Sequence, residues 1–174
     1  PKIDFHIKDV LGRSWQCATV QVDFQMPEKF DLHYIGEDNT KHRPVIIHRT
    51  IYGSIERFLG ILIEHFAGKL PLWLAPIQVS ILTVADRFAN YANEIKKEFE
   101  KNNLRIQADL RTESLGYKVR EAQIQKIPII LTVGEKEEKN VTVAVRTLDN
   151  KVYFDVKVEE LVEKVLRNVE EKRV

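Results

Sequence analysis

The first part of the chain has strand-like alternation of apolar and polar positions. Residues 2–8 alternate apolar and polar side chains, which predicts a half-buried strand. Residues 14–26 alternate in the same way and predict a longer strand. The short turn between them contains Gly12, so we expect the two strands to pair as an antiparallel hairpin. Residues 27–43 are rich in charged residues, Gly and Pro, and predict a surface loop.

A strand that leads directly into a helix is predicted next. The β-branched run at residues 45–47 predicts the strand, with His48 and Arg49 at its end. The apolar side chains that follow lie on one face of a predicted helix and are Ile51, Ile55, Phe58, Leu59, Leu62 and Phe66. Ser54 and Arg57 are three residues apart beside that face. Because helix N-termini attract anions, this junction is a candidate nucleotide contact.

The second part of the chain alternates between strand and helix patterns. Residues 68–76 contain one Gly and two Pro and predict a linker. Beyond the linker, strands are predicted at residues 77–84, 104–110 and 127–133. One helix is predicted after an N-terminal cap at Asp86, and another around Leu115, Val119 and Ala122. This alternation indicates βαβ units with parallel strands. A hairpin is predicted within residues 141–158, followed by a helix with Leu161 and Val165 on its inner face. Together these elements predict an α/β domain with a mixed sheet.

Composition narrows the possible functions. The 174 residues suffice for one large or two small domains. The net charge of +1 provides no global basic field, so a nucleic-acid contact must be local, and DNA is not a predicted partner. Cys17 is the only cysteine, which excludes an internal disulfide and favours a reducing, cytoplasmic location. No apolar run reaches transmembrane length, so no membrane partner is predicted.

Three blocks of sequence resemble one enzyme family. The blocks are residues 12–24 (GRSWQCATVQVDF), 48–58 (HRTIYGSIERF) and 108–120 (ADLRTESLGYKVR). The second resembles the third signature motif of class II aminoacyl-tRNA synthetases, in the form seen in threonyl-tRNA synthetases. The first resembles the active-site strand of that family, and the third resembles its anticodon-binding domain.

The resemblance implies a domain order and a larger parent protein. Residues 1–70 would be the end of an α+β class II catalytic domain with an antiparallel sheet. Residues 71–174 would be the anticodon-binding domain. The chain would then be the C-terminal part of a longer, homodimeric protein.

Polar residues of the first part acquire roles from the resemblance. Gln16 and Thr19 would contact ATP, which binds with magnesium, and Gln21 would lie in the pocket for threonine. Ser54 and Arg57 would also contact ATP. Arg57 is the candidate catalytic residue, since a planar cation can stack on adenine and offset phosphate charge. From the residues alone, an ordinary sheet surface is the preferred interpretation of Gln16, Thr19 and Gln21.

His48 is the candidate metal ligand. The resemblance implies that it is one of three zinc ligands, and that the zinc takes the amino group and hydroxyl of threonine. Valine would be rejected because it lacks that hydroxyl. The other two ligands, a Cys and a His, would precede Pro1, so the zinc site would be incomplete in this chain. Cys17 is not predicted to bind the metal. A single His on a strand is otherwise typical of a partly buried structural residue.

Basic side chains of the second part are candidate tRNA contacts. From the residues alone they are Arg105, Arg111, Lys118, Arg120, Lys126 and Arg146. Residues 72–126 contain nine Lys and Arg against seven Asp and Glu, a mild excess typical of a solvated surface. The resemblance aligns Arg120, Glu137 and Arg146 with residues that read anticodon bases. Glu137 fits such a role as an acceptor for base amino or imino groups. Thr112 stands where many relatives have Asn.

Alternative functions remain open at this point. The chain could be part of a ligase that activates threonine with ATP and transfers it to tRNA(Thr), inactive alone because the first two class II motifs lie outside it. It could instead be a stand-alone module that binds tRNA or another RNA without aminoacylation. An interaction domain without an RNA role is a third hypothesis. Gln16, Ser54 and Arg57 favour the first, because an RNA-binding module needs no ATP contacts.

Overall fold

The computed structural model describes residues 1–173. Within that range the chain forms two compact units, with the boundary between Ala67 and Gly68. No helix in the described range is long and apolar enough to cross a membrane.

The first unit is built on an antiparallel sheet. Its strands are β1 (Lys2–Lys8), β2 (Ser14–Asp23), β3 (Tyr34–Ile35), β4 (Lys41–His42) and β5 (Ile46–Thr50), and its helices are α1 (Gln25–Lys29) and α2 (Ile55–His65). The sheet has the order β1-β2-β5, and β3 pairs separately with β4. The predicted β1–β2 hairpin is therefore confirmed. The predicted loop at residues 27–43 was wrong in part, because most of α1 and both short strands lie within it.

Strand β2 ends earlier than the sequence pattern indicates. The carboxylate of Asp23 accepts hydrogen bonds from the backbone amides of Gln25 and Met26, at 2.8 and 3.1 Å. These bonds turn the chain into α1, so the alternation that continues past Asp23 does not continue the strand.

The turn between β1 and β2 is organised by a single carboxylate. Asp9 accepts from the backbone amides of Leu11 and Arg13, both at 2.9 Å, and from the indole nitrogen of Trp15 at 2.8 Å. Arg13 contacts Asp9 as well, and its Nη2 atom donates to both carboxylate oxygens of Glu64 in α2, each at 3.0 Å. The turn is thereby tied to the helix.

The structure differs from the sequence pattern at β1 and at α2. Every residue of β1 is exposed, including the apolar side chains of Ile3 and Phe5, so β1 is not half-buried. Helix α2 begins only at Ile55, with Ser54 as its N-terminal cap, and its buried residue is Ile61. Ile61 is absent from the apolar face that the spacing predicted.

The second unit contains a mixed sheet with helices on both faces. Its strands are β6 (Val79–Thr83), β7 (Ile106–Asp109), β8 (Ile129–Val133), β9 (Thr142–Thr147) and β10 (Val152–Lys157), and its helices are α3 (Ala89–Lys101), α4 (Leu115–Ile124), α5 (Glu135–Asn140) and α6 (Val158–Glu170). The strand order is β10-β9-β8-β6-β7. β6 is parallel to β7 and β8, whereas β9 is antiparallel to β8 and to β10. The predicted βαβ units and C-terminal hairpin are confirmed.

The core of this unit lies mainly on one side of the sheet. Val79, Ile81 and Leu131 pack there against α3 and α6, around the fully buried Phe99. On the other side α4 covers a smaller cluster that includes Leu82 and Ile130. Each fully buried apolar side chain contributes about 1.5–3 kcal/mol relative to exposure. The larger cluster therefore dominates the stability of the unit.

Two local features of the second unit differ from the sequence prediction. Asp86 begins a short 3₁₀ turn, Asp86–Phe88, and α3 starts after it. The carboxylate of Asp86 instead accepts from the hydroxyl of Thr112 at 3.0 Å. Helix α5 was not predicted, because its sequence EKEEKN contains no apolar residue and therefore has no periodicity to detect.

Candidate functional site

A β-bulge brings the two candidate ATP contacts of β2 together. Phe5 pairs with Ala18 and His6 pairs with Gln16, so Cys17 is the extra residue in β2. Residues 16 and 19 would face opposite sides of a regular strand, and one extra residue reverses that relation. The side-chain amide of Gln16 donates to the hydroxyl of Thr19 at 2.8 Å.

Asp4 completes this cluster and was missed by the sequence analysis. Its Oδ1 accepts from the Gln16 amide and from the Thr19 hydroxyl, both at 2.7 Å. The hydrogen bond from Thr19 is the main cause of a lowered pKa for Asp4. Asp4 pairs with Thr19 in the hairpin register, so the predicted hairpin was the signal that could have identified it.

The same polar face continues across β2 onto β5. Gln21 is directly opposite His48 in the antiparallel pairing. The Nε2 atom of His48 lies 3.2 Å from Oδ2 of Asp23, and the imidazole is about half exposed. The pKa of Asp23 is lowered by the hydrogen bond from the Met26 amide, and His48 adds to this effect. A ligand on this face would thus contact both the Gln21 amide and the His48 imidazole.

His48 is a candidate metal ligand without a complete site around it in the described residues. A carboxylate bonded to one ring nitrogen of a His fixes the ring orientation, as is common for metal-binding His residues. Zinc needs three or four protein ligands. Within residues 1–173, no group of three His, Cys, Asp or Glu side chains could hold a metal ion.

Ser54 and Arg57 are positioned at the start of α2. The hydroxyl of Ser54 accepts from the backbone amide of Arg57 at 3.4 Å and donates to Glu56 at 2.6 Å. The guanidinium of Arg57 reaches back to the backbone oxygen of Gln16 at 3.1 Å. Arg57 therefore lies against the bulged part of β2.

Gly53 permits this close approach. Its φ of +67° is in the left-handed region, which favours glycine. A Cβ atom at this position would lie 2.9 Å from Nη2 of Arg57 and 3.2 Å from the Cys17 oxygen. Gly53 thus lets the Arg57 guanidinium approach the backbone of Gln16 in the bulged strand. The Arg57 guanidinium suits an anionic or planar ligand, whereas the amide and hydroxyl hydrogens of Gln16 and Thr19 are already donated within the Asp4 cluster.

Three of the candidate tRNA contacts in the second unit have structural partners. Lys118 is only 1% exposed, and its ammonium donates to the backbone oxygen of Thr83 at 3.0 Å, holding the end of β6. Arg105 donates to the backbone oxygens of Ala75 and Trp73, both at 2.9 Å. Lys118 is therefore buried by its structural role, whereas Arg105 is exposed and its role as an RNA contact stays a prediction.

Arg111 is held in an ion-pair network on one flank of α4. Its guanidinium pairs with the carboxylates of Asp109, at 2.6 Å, and Glu121. Tyr117 donates to Glu121 at 2.9 Å. Arg111 is the first cause of the lowered pKa of both carboxyl groups, so the network stays ionised. Its charge is therefore neutralised locally.

The opposite flank of α4 faces the β9–β10 hairpin. Gln123 donates to the side chain of Asn150 in that hairpin at 2.6 Å. Arg120 is exposed and lies three residues from both Tyr117 and Gln123, on the solvent face of α4. Arg120 has no ion pair within residues 1–173.

Arg146 lies on the α4 side of the sheet. It pairs with Ile130 of β8 and Val152 of β10, and Ile130 packs against Ala122 of α4. Directly opposite residues share a sheet face, so Arg146 has the same orientation as Ile130. Its guanidinium is partly exposed and, in the part of the chain that the structure describes, forms no salt bridge. The structure thus places Arg120 and Arg146 on the same side of the unit.

Glu137 has a structural contact of its own. Its Oε2 accepts from the backbone amide of Gly134, the residue before α5, at 3.1 Å. This bond satisfies a buried helix-start donor, as in a capping box. An acidic residue at this position therefore has a structural reason that does not depend on RNA.

Comparison with known proteins identifies both units. Residues 78–168 match the family described as "Anticodon binding domain", and residues 1–66 match "tRNA synthetase class II core domain (G, H, P, S and T)". The chain is 59% identical to the threonine–tRNA ligase of Desulfatibacillum aliphaticivorans, over 98% of this chain and 27% of that protein. Identity to the threonine–tRNA ligase of Clostridioides difficile is 53%, with the same two coverages.

A solved structure shares the fold. The RNA binding domain of threonyl-tRNA synthetase from Cryptosporidium parvum Iowa II superposes with a TM-score of 0.83 at 34% identity. The match covers 95% of this chain and 42% of that one. The chain spans about a quarter of the length of the two ligases.

Proposed function

Because the chain belongs to the anticodon binding domain family and carries a class II tRNA synthetase core segment before it, we propose that it is part of a threonine–tRNA ligase. The ligase would activate threonine with ATP and transfer it to tRNA(Thr). Residues 1–70 would belong to the catalytic domain, and residues 71–174 would form the anticodon-binding domain. The observation that carries this proposal is the 59% identity to a threonine–tRNA ligase over 98% of the chain.

In this proposal the Arg57 cluster binds ATP. The guanidinium of Arg57 stacks on adenine and offsets phosphate charge, while its bond to the Gln16 oxygen holds it in place. Asp4 orients the side chains of Gln16 and Thr19, and contacts from their donors to ATP would replace the bonds to Asp4. Ser54 would add a hydroxyl contact. Magnesium, when bound, neutralises the phosphates of ATP.

The threonine pocket is proposed to lie beside this cluster. Gln21 would contact the amino acid, and His48 would provide one zinc ligand, with its ring oriented by Asp23. Zinc, when bound, would select the threonine hydroxyl over an isosteric methyl group. The remaining ligands would come from outside the described residues.

The second unit is proposed to read the anticodon. Arg120 and Arg146 would donate to base edges or phosphates of unstacked anticodon nucleotides, and Glu137 would accept from base amino or imino groups. We propose that this chain alone binds tRNA without aminoacylating it, and that the whole ligase is a cytoplasmic homodimer.

Fluorescence anisotropy tests the proposal directly. The chain is titrated with a tRNA(Thr) transcript and with the same transcript changed at the second and third anticodon bases, at two salt concentrations. We expect a preference for the unchanged anticodon that persists at the higher salt concentration. Arg146→Ala should weaken binding of the unchanged transcript about tenfold or more, since a hydrogen bond to a charged donor contributes about 1.5–3 kcal/mol.

Arg167→Ala is the matched control, because Arg167 is an exposed arginine on α6, on the other side of the sheet. It should change affinity less than twofold. Equal binding of both transcripts, or equal losses in the two variants, would leave only generic phosphate attraction and contradict the anticodon roles.

A further inference from the structure

An exposed aromatic side chain lies on the edge of the mixed sheet. Phe154 of β10 is 68% exposed, and β10 is the outermost strand on its side. Full exposure of a Phe forgoes the stabilisation that burial would provide. Its neighbour Tyr153 is also exposed, but it lines a cavity of about 410 Å³ beside Leu161 of α6.

The strand register determines which face Phe154 occupies. Val152 pairs with Arg146 and Tyr153 with Val145, and the pairing resumes only at Val156 with Val143. Phe154 and Asp155 therefore both lie opposite Ala144, in a bulge. Val143 and Val145 face the α3 and α6 side, so Ala144 and Phe154 face the α4 side.

The bulge is held in place from the neighbouring helix. Asp155 has a φ of +54°, and its carboxylate pairs with Lys136 of α5 at 2.9 Å. This pair fixes the kink that follows Phe154. The Phe154 ring therefore lies at a defined bulge within the β9–β10 hairpin.

Arg146 is the diagonal neighbour of Phe154 on the same face. Residues in this relation across an antiparallel pair are about 7–8 Å apart, which is within reach of aromatic and long side chains. Arg120 is exposed on α4, the helix that covers this side of the sheet. The face thus combines an exposed ring with guanidinium groups that form no salt bridge within residues 1–173.

We propose that Phe154 is a stacking platform for an unstacked base of the anticodon loop, next to Arg146. Proteins that bind single-stranded RNA stack bases on exposed aromatic rings and place basic groups beside them. This inference rests on the proposed function and adds a contact that supports affinity. Stacking accepts any base, so Phe154 would strengthen binding of every anticodon while other residues discriminate.

The test compares two adjacent aromatic residues. Phe154→Leu keeps an apolar side chain but removes the ring, and Tyr153→Leu removes a neighbouring exposed ring on the opposite face. Binding to tRNA(Thr) and to the anticodon-changed transcript is measured by anisotropy. We expect Phe154→Leu to weaken both complexes about 5- to 100-fold, with an unchanged ratio between them. Tyr153→Leu should stay within twofold, and Phe154→Trp should bind at least as tightly as the unchanged chain.

A spectroscopic readout separates stacking from a general loss of structure. A transcript with 2-aminopurine in the anticodon loop should lose fluorescence when it binds the unchanged chain, because stacking quenches this base. That quenching should be absent with Phe154→Leu at saturating protein. Thermal unfolding of each variant confirms that the second unit remains folded.

The two possible failures are distinguishable. If the unchanged chain prefers the correct anticodon and Phe154→Leu binds and quenches equally well, the stacking role is overturned and the ring belongs to a protein contact. If the unchanged chain shows no anticodon preference, the proposed function fails, and the stacking role is overturned with it.

Discussion

Glu137 combines a structural contact with a proposed reading role, and two substitutions separate them. Its Oε2 accepts from the amide of Gly134 at 3.1 Å, and Gly134 is buried. Glu137→Ala removes that acceptor. Glu137→Gln keeps a side-chain oxygen of the same reach but replaces the carboxylate, which can only accept, by a group that also donates.

The magnitude of the structural effect follows from the buried amide. Loss of a helix-start cap costs about 0.5–2 kcal/mol, and an unpaired buried donor costs about 1–3 kcal/mol. We therefore expect Glu137→Ala to lower the free energy of unfolding of the second unit by about 1–2 kcal/mol. In a domain of roughly this size each kcal/mol lowers Tm by about 4–8 °C. Glu137→Gln should lose only about 0.5 kcal/mol, from the helix-dipole interaction.

Calorimetric unfolding and tRNA anisotropy are then measured on the same three proteins. If the carboxylate reads base donors, Glu137→Gln should reduce the preference for the unchanged anticodon about tenfold while the unit remains stable. Equal destabilisation by Ala and Gln would refute the role of the Gly134 bond. An unchanged preference in Glu137→Gln would refute the reading role and leave Glu137 as a helix cap.

Further predictions concern pH and the relative stability of the two units. Burial raises the pKa of Asp9, but hydrogen bonds from Trp15 and Arg13 outweigh it and lower the pKa to about 2. The stabilisation by Asp9 should therefore be complete above about pH 4 and lost as the pH falls through 2. We expect to observe this loss as an acid transition in Trp15 fluorescence, and Asp9→Asn should weaken the transition. Burial and the charge of Glu137 raise the pKa of Tyr91 to about 12, so its stabilisation is present below about pH 10 and lost as the pH rises through 12. Tyr91→Phe should cost about 1–2 kcal/mol in urea unfolding at pH 8, because it removes the 2.8 Å bond to the Thr142 oxygen, and an unchanged stability would contradict this. In hydrogen exchange, the amides of residues 77–133 should be protected more than those of residues 3–63. The reason is that the described part of the first unit has few buried apolar side chains, among them Cys17 and Ile61. Equal protection would show that the sheet of the first unit is stabilised by other means.

Local patterns in the sequence were sufficient for most elements and for the family resemblance. The sequence alone predicts β6 and β8 from their β-branched runs, and α3 and α6 from their apolar stripes. Such patterns arise because each element buries one face or both. The order of strands and helices then restricts the second unit to parallel βαβ units with a final hairpin. Helix α5 escaped because its contacts involve backbone and charged groups, which have no such period.

The sequence by itself determined most elements of both units and the family resemblance. Through that resemblance it also identified Gln16, Thr19, Arg57, Arg120 and Arg146 as candidates. Only the tertiary structure decided which of these side chains meet. The bulge at Cys17 puts Gln16 and Thr19 on one face, and Arg57 reaches the backbone oxygen of Gln16 from 41 positions away. Lys118 and Arg120 are only two residues apart, but Lys118 is buried against the end of β6 whereas Arg120 is exposed to solvent. These outcomes depend on contacts between residues distant in the chain, and a local periodicity carries no information about such contacts.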